Sequence, residues 1–353
     1  MLEARPTRDL AALAPEWDEL ADRTRAMPFV RPGWFEAWWR AFGTGELELL
    51  TVRRDRRLCG VLPIARKGSS VGSPANWESP DFAFLADGPE PRRELARALI
   101  AHAGRSVSIP FLAADGDDLP ECRRAAAERR FRTVERTVER SPYLFLEGDF
   151  ETYFRSRGKN LVDSVRRRRR RLAEEGAVEF EVDDGRERLG ELLSEGYALE
   201  GSGWKHENAI AARDDARRFY DAVTAWAADR GILRLAFLRL DGRAVAFQLA
   251  LEEHGVFYYY KAGYDPAYQR FSPGKLLIAS LLERAFEQGL ERVELLGADE
   301  PWKLEWMDAV RERHSFQAYA PSATGVAAWA AEAWGRPAAR RLRVRRALEL
   351  VRR

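Results

Sequence analysis

The residues best suited to chemistry lie in the last third of the chain. Asp299 and Glu300 follow a strand expected over Arg292 to Leu296, with Pro301, Trp302 and Lys303 directly behind them. Two carboxylates at the end of a central strand can take a proton, directly or through water. Lys303 offers a cation for developing negative charge, against the plainer reading of a surface lysine in a loop. Tyr264 stands just past a second strand, Val256 to Lys261, where its phenol could return a proton to a leaving group. Neither Cys59 nor Cys122 sits in a nucleophile motif, and Ser272 reads as a helix cap. A direct transfer is therefore favoured over a covalent intermediate.

The elements that must position these groups are a strand, a loop and a helix. Val256 to Lys261 is β-branched and aromatic, which suits a buried pleated strand, and Gly263, Asp265 and Pro266 turn the chain out of it. A helix over 273–288 follows. Ser272 can cap it, Pro273 fits its first position, and Leu276, Leu277, Ser280, Leu281, Arg284 and Ala285 keep the helical period. Its amino end offers N–H groups and the positive end of the dipole. Gly274 permits close approach there, and Arg270 and Lys275 add charge. A pyrophosphate would suit that cradle, and an ordinary capped helix after a core strand would look the same.

The stretch reads Y-x-A-x-Y-D-P-A-Y-x-x-x-S-P-G-x-L-L, and downstream come a strand ending L-L-G-A-D-E and then P-W-K-L-E-W. With these residues Ser141 to Ala320 resembles the BioF-like/CelD-like acyltransferase domain of the GNAT superfamily, which is related to the Fem peptidyltransferases. A weaker echo covers the first 140 residues. The resemblance implies an α/β (α+β) chain of two tandem GNAT-like domains, each a mixed, mostly antiparallel sheet flanked by helices. They would occupy 1–140 and 141–325, with a basic helical tail over 326–353.

It also implies acyl-CoA or acetyl-CoA as co-substrate and no metal. Pantetheine would lie where the fourth strand splays from the fifth, and pyrophosphate at the next helix start, which sets Tyr260, Arg270, Ser272, Gly274 and Lys275 on the donor. The usual phosphate loop reads Q/R-x-x-G-x-G/A, whereas Arg270 is followed by F-S-P-G-K, one residue out of spacing. Related domains carry an E-x-S-G-W-K loop over the acceptor site, which places Glu200, Trp204 and Lys205 on that side, with Arg168 and Trp302. In Fem relatives a lysine after an aromatic residue is thought to steady the tetrahedral intermediate, and Trp302-Lys303 matches that pair.

Length and composition set the outer bounds. The 353 residues suffice for two domains with their own cores. Charged residues make up 32%, no stretch approaches the ~20 apolar residues of a membrane span, and the first ten residues lack a signal peptide's apolar core. A cytoplasmic protein is expected. Two cysteines and four scattered histidines supply neither a disulfide framework nor a metal-ligand set. The net charge of +2 conceals local bias: Arg166 to Arg171 is an unbroken run, and Arg336 to Arg353 holds eight arginines against one acid. Such patches can meet anionic surfaces.

Along the chain, helices are expected over Asp9 to Arg23 and from Pro32 to Phe42, the latter crowded with Trp34, Phe35, Trp38, Trp39 and Phe42, which read as core. A hairpin, Leu47 to Arg53 and Leu58 to Ala65, comes next. Ser79 to Asp87 looks like a strand and loop, Arg92 to Ala103 a helix, Ser106 to Leu112 a strand and Pro120 to Arg130 a helix. An edge strand begins at Ser141, and 150–175 is helical with a break at Gly158. On that helix Arg168 shares the apolar stripe of Leu161, Val165 and Leu172, so it should be buried or line a groove, while its neighbours read as a solvated face.

Ala177 to Val182 reads as a strand, Arg186 to Ala198 and Ala212 to Arg230 as helices, Glu305 to Val310 as a short helix and His314 to Tyr319 as a last strand. The hairpin over Leu233 to Leu251 repeats the first one. Setting Asp55 on Asp241 also sets Arg53 on Arg239 and Arg57 on Arg243. The first copy lacks the S-P-G helix start, so chemistry is expected in the second. Three functions follow from the resemblance: an acyl-CoA-dependent N-acyltransferase acting on a small molecule or amino sugar, a Fem-like transferase using aminoacyl-tRNA, and a non-catalytic binding or assembly protein.

Overall fold

The computed structural model describes residues 4–202 and 209–335. In chain order the first part forms β1 (Ala4–Thr7), α1 (Leu10–Arg23), α2 (Pro32–Phe42), β2 (Glu46–Arg54), β3 (Arg57–Lys67), β4 (Ser70–Gly72), β5 (Leu85–Ala86), α3 (Pro89–His102), β6 (Ser106–Ala113), α4 (Asp118–Glu128) and β7 (Arg132–Phe145). Then come α5 (Phe150–Ser156), α6 (Lys159–Ala173), β8 (Val178–Asp183), α7 (Leu189–Gly201), α8 (Asp214–Arg230), β9 (Leu233–Leu240), β10 (Arg243–Glu253) and β11 (Val256–Tyr264). The chain ends with α9 (Pro273–Glu287), β12 (Arg292–Glu294), α10 (Pro301–Leu304), β13 (Ala309–Tyr319) and α11 (Ala323–Ala330). No helix among the described residues is long and apolar enough to cross a membrane.

The chain forms two compact units, and the division is not a single cut. One unit takes the chain up to Thr24, then Gly43–Val138, then from Glu312 onward; the other takes Arg25–Phe42 and Glu139–Arg311. In the first unit the strands run β1, β2, β3, β4, β6, β13, antiparallel except for β4 beside β6. Leu50, Leu62, Leu95, Leu112 and Phe316 belong to its core. In the second unit they run β8, β9, β10, β11, β12, β7, antiparallel except for β11 beside β12. Each is a mixed, mostly antiparallel sheet with helices on its faces. One face of the second sheet buries α5, α6 and α9 around Leu161, Val165, Phe257, Leu277 and Trp306, and the other buries α7 and α8.

Helix α2 belongs to the second unit because its aromatic rings need that core. Phe29 and Trp34 meet edge to face at 4.8 Å, and Trp34 meets Phe219 of α8 at 5.3 Å. A Cβ added at Gly33 would lie 2.0 Å from the indole nitrogen of Trp226, so only glycine lets the two helices approach this closely. Arg31, fully buried, is satisfied by Glu253 at 2.9 Å, an ion pair that anchors the segment to the end of β10.

The internal repeat read from the hairpins extends to their hydrogen bonds. Both turns are two residues long, Asp55-Arg56 and Asp241-Gly242, with φ of +50° and +71°, and of +49° and +77°. Two successive left-handed residues match the twist of a hairpin. The register slips at the same place, leaving Cys59 and Val245 as the extra residues of the returning strands. Arg53 donates to both carboxylate oxygens of Glu16 on α1 and to the carbonyl of Arg56. Arg239 does the same to Glu195 on α7 and the carbonyl of Gly242.

Three expectations are corrected. The strand expected at Ser141 starts at Arg132, because β7 carries no fully buried side chain before Ser141 and so has no apolar signal there. The short helix expected over Glu305 to Val310 is instead α10 at Pro301–Leu304, since Pro301 suits a first turn and the chain is already extended from Ala309. Of Ser79 to Asp87 only Leu85–Ala86 pairs, while Glu78, Ser79 and Asp81 form a buried coil.

The two arginine clasps should differ in weight. The Arg239 side chain is 12% exposed and that of Arg53 39%. Arg239→Ala should cost roughly 2 kcal/mol, between an exposed and a buried pair, and Arg53→Ala under about 1 kcal/mol. Thermal denaturation checks this, and equal shifts in Tm would refute it. The hydrogen bond from Arg53 holds Glu16 below its ordinary carboxylate value, so the Arg53 contribution is whole at neutral pH and fades as acid protonates Glu16.

Candidate active site

The second unit opens where its parallel strands part. β11 pairs with β12 at Val256–Arg292, Phe257–Val293 and Tyr258–Glu294 and then continues past the end of β12 to Tyr264. Its other edge stays on β10 as far as Tyr264–Ala246, with Tyr260 as an extra residue between Lys261 and Tyr259. A bulge of this kind bends a strand, here away from β12. β12 in turn stops because Leu296 and Gly297 take φ of +43° and +64°. The result is a gap between the carboxyl ends of neighbouring parallel strands, a common place for ligands.

The far wall of the gap comes from α10. The Trp302 ring lies tilted against Tyr259 at 6.1 Å, and Lys303 turns inward with its side chain 8% exposed. The Lys303 ammonium donates to the carbonyls of Leu296 at 2.7 Å and Ala298 at 3.0 Å, with Glu300 at 3.3 Å. These partners make a buried charge tolerable. Burial pushes the Tyr259 phenol up, and the charge of Glu300 pushes the same way, so Tyr259 stays neutral. Asp299 is held elsewhere, by Arg140 at 2.8 Å. The two adjacent carboxylates thus face different cations.

At the start of α9 the backbone, not a side chain, does the capping. Ser272 is itself left-handed, at φ +49°, and its hydroxyl makes no cap; its carbonyl receives the N–H groups of Lys275 and Leu276 at 2.9 and 3.2 Å. The expected side-chain cap is therefore corrected: the 3-10 turn Pro266–Phe271 ends on Ser272 and imposes that conformation. Among the described residues the Gly274 N–H has no acceptor, and a Cβ at Gly274 would meet nothing nearer than the Tyr264 ring at 3.9 Å. Arg270 pairs with Glu175 at 2.9 Å and Lys275 with Glu305 at 2.5 Å. Both pairs are partly exposed and worth little, so an anion could compete for either cation.

The opposite face carries the other expected group. Glu200 is buried and accepts the Ile210 N–H at 2.9 Å, closing the loop whose Trp204 and Lys205 lie outside the described residues. A Cβ at Gly263 would sit 2.4 Å from the Glu200 Cα, so the end of α7 rests directly on β11. Tyr260, expected beside the donor, lies on this α8 side. Its hydroxyl is 3.1 Å from that of Tyr220, and the Lys261 ammonium lies over both rings.

Trp302 and Lys303 thus stand beside β11 and the turn after β12, Glu300 pairs with Lys303, Asp299 turns to Arg140, Tyr264 meets the α9 start at Gly274, and Arg168 joins none of them. It is half-buried on α6 and donates to Ser164, while Arg166 pairs with Glu151 and Arg169 with Glu283. A separate cleft of about 330 Å³, lined by Arg169, Val178, Phe180, Leu276 and Ser280, holds none of the site residues. Sequence reasoning passed over Tyr259, Gly263, Arg140 and Ser141. In the run Tyr258 to Tyr260 plain strand alternation sets Tyr259 on the α9 face and its two neighbours on the α8 face, and Ser141 carries no motif.

The family model for the acetyltransferase (GNAT) domain matches residues 159–304, from α6 through α10. Three solved structures share the fold. The C-terminal domain of a putative lysylphosphatidylglycerol synthetase from Agrobacterium fabrum is 14% identical over 91% of this chain and 95% of its own, with a TM-score of 0.59. FemX is 12% identical over 86% and 95%, with a TM-score of 0.60. L-PGS from Bacillus licheniformis is 12% identical over 81% and 90%, with a TM-score of 0.52. A search of curated proteins found no match.

Arg168 should respond differently from the rest of its run. It is the one arginine of Arg166 to Arg171 that is not exposed. Arg168→Ala should lower Tm by a few degrees and Arg167→Ala by less than one, about the span expected between a packed and a solvated side chain. Equal responses would make the run a uniform solvated face.

Proposed function

We propose that this chain, a member of the GNAT superfamily that shares its fold with FemX, moves an acyl group from an acyl-CoA thioester directly to the amine of a small molecule, amino sugar or amino acid. The observation that carries this reading is the parting of β11 from β12 beside an α9 start whose Gly274 N–H has no acceptor among the described residues. Pantetheine would lie in the gap. The pyrophosphate would sit at Gly274 with Ser272, Arg270 and Lys275 around it, where N–H groups and the helix dipole favour anions. Tyr260 is part of β11 itself and lies on its α8 side.

In this reading the amine loses its proton to Asp299 or Glu300, directly or through water, and its nitrogen bonds to the thioester carbon. The carbonyl electron pair moves to oxygen, polarised by the charge of Lys303, and returns as the carbon–sulfur bond breaks. Tyr264 protonates the departing thiolate. The acceptor would enter past Glu200, Trp204, Lys205 and Trp302. A cytoplasmic reaction goes with this reading. A second reading, transfer from aminoacyl-tRNA, draws on the exposed Arg167, Arg170 and Arg171 of α6, which suit phosphates. A non-catalytic assembly role would leave the gap without a ligand.

Calorimetric titration with CoA tests the donor. Gly274→Asp sets a carboxylate on the proposed phosphate site and should abolish binding, whereas equal affinity in wild type and variant would remove this site. Side-by-side assays with an acyl-CoA panel and charged tRNA separate the two donors. Lys303→Met should lower kcat with little change in KM, by roughly 2.7–4 kcal/mol if a full oxyanion stabilisation is lost. Should it raise KM and spare kcat, Lys303 is a binding group. Asp299→Asn should flatten the acid limb of the rate profile while leaving CoA affinity unchanged.

A further inference from the structure

The geometry points to the backbone turn after β12 as the oxyanion site, with the N–H of Ala298 as its central donor, those of Gly297 and Asp299 beside it, and Lys303 and Ser141 as positioning residues. This rests on the acyl-transfer reading above and specifies how Lys303 serves it.

The edges of the turn are assigned by its hydrogen bonds. Ser141 of β7 donates to the Gly297 carbonyl at 3.0 Å, and the Leu295 N–H donates to Pro142 of β7 at 2.9 Å. That edge of the chain therefore faces β7. A trans peptide sets its carbonyl and its N–H on opposite edges, and no peptide among the described residues is cis. The Ala298 N–H, across the peptide from the Gly297 carbonyl, must then point away from β7, toward the side where β11 has parted. The same rule turns the Gly297 and Asp299 N–H groups away from the Lys303 ammonium, which holds the Leu296 and Ala298 carbonyls. Among the described residues none of these three N–H groups has an acceptor.

The lysine is poorly placed to hold the oxyanion itself. An ammonium has three protons, and the Leu296 carbonyl, the Ala298 carbonyl and Glu300 are three acceptors already around it. A cation bound to a carbonyl polarises the peptide and makes the N–H across it a stronger donor. Lys303 thus carries its charge to the reaction through the Gly297 and Asp299 peptides. Gly297 fits this role, since a Cβ there would lie 3.3 Å from the ammonium in a left-handed residue. Leu296, buried and left-handed without being glycine, is the sort of strained residue that clusters at functional sites.

In the reaction the amine nitrogen bonds to the thioester carbon, and the carbonyl pair moves onto the oxygen, where the three N–H groups hold it. Collapse restores the carbonyl and expels the thiolate. The proton lost by nitrogen is balanced by the one the thiolate gains, so the turn only holds charge and exchanges none.

Ser141→Ala tests this without touching Lys303. It frees the Gly297 carbonyl and should lower kcat about tenfold, the effect of one lost hydrogen bond of ordinary strength, with KM within about twofold and recovery in Ser141→Thr. If the ammonium contacts the oxyanion directly, Ser141→Ala keeps the wild-type kcat and the inference is overturned. A second measurement on the wild-type protein needs no turnover. A ketone analogue of acetyl-CoA, with CH₂ in place of sulfur, should shift the amide proton resonances of Gly297, Ala298 and Asp299, whereas CoA alone should leave them in place. Binding of the analogue without those shifts overturns the turn as donor while the acyl-CoA reading stands. Failure of both CoA and the analogue to bind overturns that reading and this inference together.

Discussion

A buried ammonium at the end of a short strand is the constraint on which the site depends. Lys303 is 8% exposed, and burying its charge is tolerated because two carbonyls and a carboxylate surround it. Those carbonyls belong to Leu296 and Ala298, so solvating the lysine and shaping the turn after β12 are one event. The left-handed Leu296 and Gly297 then end β12 after three paired residues. β11 continues past the end of β12 from Tyr259 to Tyr264 while still paired with β10, and its bulge lies at Tyr260. A parallel pair that stayed zipped would have no gap to receive a ligand.

The two units share strand order, hairpin turns, bulge position and an arginine clasp to the first helix, but not the opening. In the first unit the strand that corresponds to β11 is broken: β4 stops at Gly72, the chain passes through a buried coil, and only Leu85–Ala86 pair again with β3. In the second unit β11 continues unbroken for nine residues and delivers the chain directly to the α9 start. The same architecture therefore carries two different outcomes. The difference lies in whether one strand can run past the end of its parallel neighbour.

Charge is arranged to be redirected. Arg270, Lys275 and Asp299 each have an ionic partner, and in each pair at least one member is well exposed. Pairs of that kind contribute little to stability and exchange readily. The buried pairs behave differently. Arg31 with Glu253 and Arg313 with Asp81 each tie down one segment inside a unit, where losing either partner would leave an uncompensated charge.

Much of this was legible in the chain before it folded. The motif from Tyr260 to Leu277, the strand ending at Leu296 and the Trp302-Lys303 pair were enough to anticipate a GNAT-like fold, because turn residues, helix period and charged strand ends are local properties. The repeat of Asp55 in Asp241 was visible for the same reason. Other features rest on contacts between distant residues. The sequence marks Ser272 as a cap, but a preceding 3-10 turn decides its φ. It shows three alternating tyrosines in a row, but which helices cover each face of β11 decides which ring lies beside the gap. Nothing in Ser141 or Arg140 signals a site, since they reach it only when β7 lies beside β12. Local chemistry chose the elements of this protein, and the pairing of strands far apart in the chain decided which backbone groups they leave without partners.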